Sequence, residues 1–109
     1  MQIRKTYQGI NPTLLYDEMK EFILKQGLTL DQNKLETYSI PTDSSTFTYR
    51  GTMTFKSQGR EAIRVHIIGV DKGETRMMLD SNDELLSKEK LATLEDDINY
   101  MLGGYETPD

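Results

Sequence analysis

The chain has 109 residues, 36% of them hydrophobic and 28% charged, with no cysteine and a formal net charge of −5. This suits one domain with a modest core of its own rather than a disordered chain. The absent cysteines exclude disulfides, thiolate metal sites and thiol nucleophiles, and the acidic balance argues against nucleic acid or an anionic membrane as partner.

"MQIRKTYQG" alternates Ile3, Lys5 and Tyr7 against Gln2, Arg4 and Thr6, the period of a strand. "NPTLL" follows, with Asn11 as N-cap and Pro12 at the first helical position. The helix is expected to run to Gln26, with Leu15, Met19, Phe22, Ile23 and Gln26 on one face and Gly27 as the left-handed stop. "KLETYSI" reads as a strand ended by Pro41, and "PTDSS" as a turn. In "TFTYRGTMTFK", Phe47, Tyr49, Met53 and Phe55 point one way, and the threonines and Arg50 point the other. Gly51, between them, marks either a bulge or a bend where a helix comes close. Further strands are expected over Arg60 to Val70 and Glu74 to Asp80. A last helix starts after Ser87 as N-cap and carries Leu91, Leu94, Ile98, Met101 and Leu102 on one face. Glycines 103 and 104 end it, and residues 105–109 form a loose tail. No linker or long-period repeat divides the chain, so residues 1–109 are expected to form a single domain.

"KSQGR" and "VDKGE" each place glycine third in a loop, which predicts two three-residue hairpin turns with a left-handed last residue. The first turn then sets Met53 opposite Ile63, and the second sets Ile67 opposite Met77 and Val65 opposite Leu79. A two-residue first turn would mix the faces. The expected apolar face runs through Tyr49, Met53, Phe55, Ile63, Val65, Ile67, Met77 and Leu79. On the opposite face the expected rows are Thr52, Arg64, Asp80; Arg50, His66, Met78; and Thr48, Ile68, Arg76. Arg64 opposite Asp80 is a charge-compatible pair.

The predicted class is therefore α+β, in the order β-α-β-β-β-β-α, a curved antiparallel sheet with two helices packed on one face. That element order resembles one repeat of the TATA-binding-protein fold and, in abbreviated form, the helix-grip fold of START and Bet v1-like proteins. The resemblance covers most of the chain and implies architecture rather than activity.

The candidate ligand or interface residues are Arg50, Arg64, His66, Ile68, Arg76 and Met78, on the face turned away from the helices. An imidazole among guanidinium groups is a lining that holds anions, and Ile68, Val70 and Met78 add more apolar surface than a solvated sheet needs. The competing reading is an ordinary solvated sheet face.

Other motifs fail on spacing. "DSNDEL" from Asp80 has oxygen ligands where a calcium loop would, but Leu85 stands at the glycine place and Leu91 at the glutamate place, so capping or turn duty is expected. Glu95, Asp96 and Asp97 fan out around a helix and cannot converge on one ion. No serine sits in a G-x-S-x-G setting, so no catalytic residue, metal or cofactor is assigned. An enzyme would require His66 with Arg50 or Arg64 to act on an anionic substrate. No apolar run approaches the roughly 20 residues of a membrane span, and a cytoplasmic location is expected. The function expected is a non-enzymatic binding or assembly module, homodimeric through the outer sheet face. The alternative is a carrier of a small apolar or anionic ligand of helix-grip type, held between sheet and helices.

Overall fold

A computed structural model describes residues 2–40, 43–70 and 73–107, without the side chains of 40 and 43–46. The elements are β1 (Gln2–Tyr7), α1 (Pro12–Lys25), β2 (Thr29–Ile40), β3 (Asp43–Ser57), β4 (Arg60–Val70), β5 (Thr75–Ser81) and α2 (Lys88–Leu102). They form an antiparallel five-stranded open sheet in the order β1-β5-β4-β3-β2, with both helices on one face. The α+β class and the element order are as expected. β2 is longer than "KLETYSI", and β3 already begins at Asp43, so three residues expected in the turn belong to the strand. Pro41 and Thr42 lie outside the described residues.

Both helix starts follow the local chemistry. The Asn11 side chain accepts from the Thr13 amide, and the Ser87 hydroxyl accepts from the Lys90 amide. α1 buries Leu15, Tyr16, Met19 and Ile23, and α2 buries Leu91, Leu94, Ile98 and Leu102. These stripes meet Met53, Phe55, Ile63, Val65, Ile67, Met77 and Leu79 in one core, which is the expected apolar face apart from the half-buried Tyr49. Gly51 is where α1 comes close: a methyl group there would lie 2.5 Å from a Tyr16 ring carbon.

The β4–β5 register is the expected one, with Ile67 opposite Met77 and Val65 opposite Leu79. The Val70 amide donates to the Glu74 carbonyl at 3.4 Å, and Asp71 and Lys72 lie outside the described residues. The β3–β4 register is not the expected one. Ser57 pairs with Arg60, leaving a two-residue turn of Gln58 (φ 54°) and Gly59 (φ 78°), both left-handed as the tight hairpin turn demands. Lys56 faces Glu61 but Phe55 faces Ile63, so Ala62 is an extra residue in β4. Ala62 and Ile63 are consequently both buried. The bulge restores the alternation that a two-residue turn alone would lose. Together the short turn and the bulge displace β3 by two places, so Met53 faces Val65 rather than Ile63.

The chain end differs from the expected loose tail. A short 3-10 turn, Gly103–Tyr105, leads to residues that bond to β1 and its following loop: the Gln8 amide donates to the Tyr105 carbonyl at 2.8 Å, and the Thr107 amide to the Thr6 carbonyl at 2.9 Å. Pro108 and Asp109 lie outside the described residues. Lys5, on the helix side of β1, sits 3.4 Å from Glu95 and 3.6 Å from Glu106 and so ties β1 to α2 and to the chain end.

Deleting Ala62 should leave a regular β3–β4 ladder with the same partners beyond it, keeping the fold at a loss of about 1–2 kcal/mol. Deleting His66 should reverse the faces of the rest of β4 and abolish cooperative folding. Amide dispersion in NMR and urea unfolding of the two deletions check this. Gly51→Leu should destabilise by about 1–3 kcal/mol through collision with Tyr16, read by the same unfolding curve. The Tyr7 phenol is buried without a hydrogen-bond partner among the described residues, and burial, with Glu106 nearby, holds its pKa well above the ordinary 10.0. The native state therefore retains this proton where the unfolded chain releases it, so stability should fall as pH rises above about 10. Tyr7→Phe should be neutral or stabilising at neutral pH and should flatten that alkaline loss in pH-dependent unfolding.

Candidate functional site

Alternation along each strand places one set of side chains on the face that neither helix covers. From the β1 edge to the β2 edge, the observed rows are Gln2, Asp80, Arg64, Thr54, Gln32; then Arg4, Met78, His66, Thr52, Lys34; then Thr6, Arg76, Ile68, Arg50, Glu36. All six candidates, Arg50, Arg64, His66, Ile68, Arg76 and Met78, lie on this face, but their partners on β3 change. His66 faces Thr52 instead of Arg50, and Arg50 faces Ile68. The two-residue turn and the bulge at Ala62 together are the cause.

Four of the six candidates meet. His66, Ile68, Arg76 and Met78 line a depression of about 660 Å³ together with Arg4 and Thr6, with Lys5, Glu74, Met77 and Thr107 completing its wall. Arg4 and Arg76 are exposed, His66 and Met78 are half-buried, and Ile68 is 44% exposed. The His66 Nδ1 lies 3.4 Å from the Thr52 hydroxyl. Arg76 stands 3.8 Å from Glu74, a loose and largely solvated pair that leaves most of its donors available. The Arg4 guanidinium donates to Gln2.

The other two candidates lie apart from the depression. Arg50 is in the same row one strand further across the sheet, between Ile68 and Glu36. Arg64 does stand opposite Asp80, but its ion pair is with Glu61 at 2.9 Å, and Asp80 accepts from the Gln2 side-chain Nε2 at 2.8 Å. The expected Arg64–Asp80 pair is therefore a register neighbour and not the bonded partner.

Arg4 and Thr6 are the lining residues that sequence reasoning did not place in the site. Their alternation marked them as one side of β1, but nothing local says that β1 lies beside β5. Of the "DSNDEL" segment, Asp80 and Ser81 belong to β5, and the expected turn begins only after them. The Asn82 amide donates to the Ala62 carbonyl at 2.8 Å, its side-chain amide donates to the Glu61 carbonyl at 3.3 Å, and its side-chain oxygen accepts from the Glu84 amide at 3.0 Å. Among the described residues no group of His, Asp and Glu is arranged to hold a metal ion, and no helix is long and apolar enough to cross a membrane.

Compared with protein-family models, curated proteins and solved structures, the chain matches none.

Proposed function

We propose that the protein is a non-enzymatic binding module that holds a small amphipathic anion, a carboxylate or phosphate on an apolar body, in the depression of its outer sheet face. One observation carries this reading: three adjacent strands converge two guanidinium groups, an imidazole and an apolar floor of Ile68 and Met78 on the side that no helix covers. The volume falls within the roughly 300–1,000 Å³ of small-molecule sites. Guanidinium groups suit the planar oxygens of a carboxylate or phosphate.

The space that a helix-grip carrier would use is occupied differently. Between sheet and helices, Phe55, Ile67 and Leu94 are buried against one another's neighbours, with Phe22 packed on the margin. A ligand on the opposite face needs none of that core to move. A face-to-face homodimer is also less favoured, since Arg50, Arg64 and Arg76 of two copies would approach one another. His66 stands between Met78 and Thr52, neither of which orients it as a general base, so binding fits the face better than catalysis.

NMR titration with octanoate, octanol and inorganic phosphate tests the reading. Octanoate should give saturable shifts of the His66 ring and the Ile68 and Met78 methyl groups, with octanol and phosphate each weaker. Arg76→Ala should weaken octanoate by about tenfold, the loss of one charge-assisted contact. No saturable shift with any of the three overturns the proposal, and shifts confined to Leu94 and Phe22 would move the ligand between sheet and helices.

A further inference from the structure

The two edges of the sheet are unlike. β1 has six residues, and the chain end bonds to it through Thr107. β2 has twelve, and among the described residues no strand lies beyond it. A free edge of this length presents a row of backbone donors and acceptors to any strand that matches it. Bulges and charges are the usual protection, and β2 has irregularities at Leu30/Gln32 and Ser39/Ile40. Between them its ladder is unbroken from Gln32 to Ser39, with Leu35 near its middle.

The charged residues of this run, Lys34 and Glu36, flank Leu35. Two copies joined edge to edge by a two-fold axis normal to the sheet run antiparallel and keep their faces, so each residue meets one from the same side. With the axis at Leu35, Lys34 of each copy stands opposite Glu36 of the other, and Leu35, 37% exposed, meets its own copy on the helix side. Gln32 then faces Tyr38, and Asn33 faces Thr37. Moving the axis to Lys34 or to Glu36 sets like charges directly opposite, which is unfavourable. In the single chain Lys34 lies 3.5 Å from Glu36 and is 73% exposed, so exchanging partners between copies requires no burial of charge.

We infer that the protein forms a two-fold dimer by antiparallel pairing of β2 with β2 of a second copy, centred on Leu35, with Lys34 of each chain against Glu36 of the other. The product is one continuous sheet with all helices on one side. Both depressions then open on the other side, as one doubled cationic surface. This inference rests on the β2 edge alone and stands or falls independently of any ligand.

Sedimentation velocity across the micromolar to millimolar range, on the full chain, tests it. The unaltered protein should dimerise. Lys34→Glu and Glu36→Lys should each weaken the dimer by about tenfold or more, because attraction at both symmetry-related pairs becomes repulsion. An equimolar mixture of the two variants should recover the dimer as a mixed species, since at these positions two acidic side chains of one strand then face two basic ones of the other. Both positions are solvated, and unchanged circular dichroism will show that the variants fold. A strictly monomeric protein, a dimer indifferent to both substitutions, or a mixture no tighter than its components overturns the inference.

Discussion

The architecture depends on which way the side chains of β4 point relative to those of β3. A strand has a period of two, so one residue of slip sends Val65 and Ile67 into water and His66 under the helices. The tight turn at Gln58–Gly59 introduces that slip, and the extra residue at Ala62 cancels it. The bulge is held from outside the hairpin, since Asn82, just past β5, takes the Ala62 carbonyl with its backbone and the Glu61 carbonyl with its side chain. Three strands therefore cooperate to keep one face apolar.

With that face secured, the helices have one place to pack. Tyr16 lies over Gly51, where only the absence of a side chain leaves room, and Pro12 approaches Gly69 in the same way. Together they seat α1 across β3 and β4. α2 covers the remainder with its leucine and isoleucine stripe and is tied to β1 through Lys5 and Glu95. Because both helices take the same side, the opposite face stays bare across all five strands. It carries Arg4, Arg50, Arg64 and Arg76 on a chain whose net charge is −5. Asp80 and Glu36 share that face, and a further acidic group, Glu95, Asp96 and Asp97, lies on α2.

The sheet edges complete the division of labour. The chain end returns to β1 and covers part of its backbone, whereas β2 remains open and mostly hydrophilic. A hydrophilic edge resists nonspecific pairing, and the placement of Lys34 and Glu36 around Leu35 leaves one self-complementary alignment between two repulsive ones.

Much of this was legible residue by residue. Asn11 and Ser87 cap helices because a short polar side chain meets free amides two or three positions on, and strand alternation sorted Ile67 from His66 because neighbouring side chains must oppose. The six outer-face candidates follow from that alternation, and their face is the observed one. Their cross-strand partners on β3 were not legible, because a glycine-bearing turn fits both two and three residues. The choice depended on Asn82, some twenty positions away in sequence. Nor was the place of Arg4 beside Met78, which required β1 to join β5 from the far end of the chain. Local chemistry thus determined the elements and their faces. Contacts between distant segments decided the register, and with it which side chains share the depression.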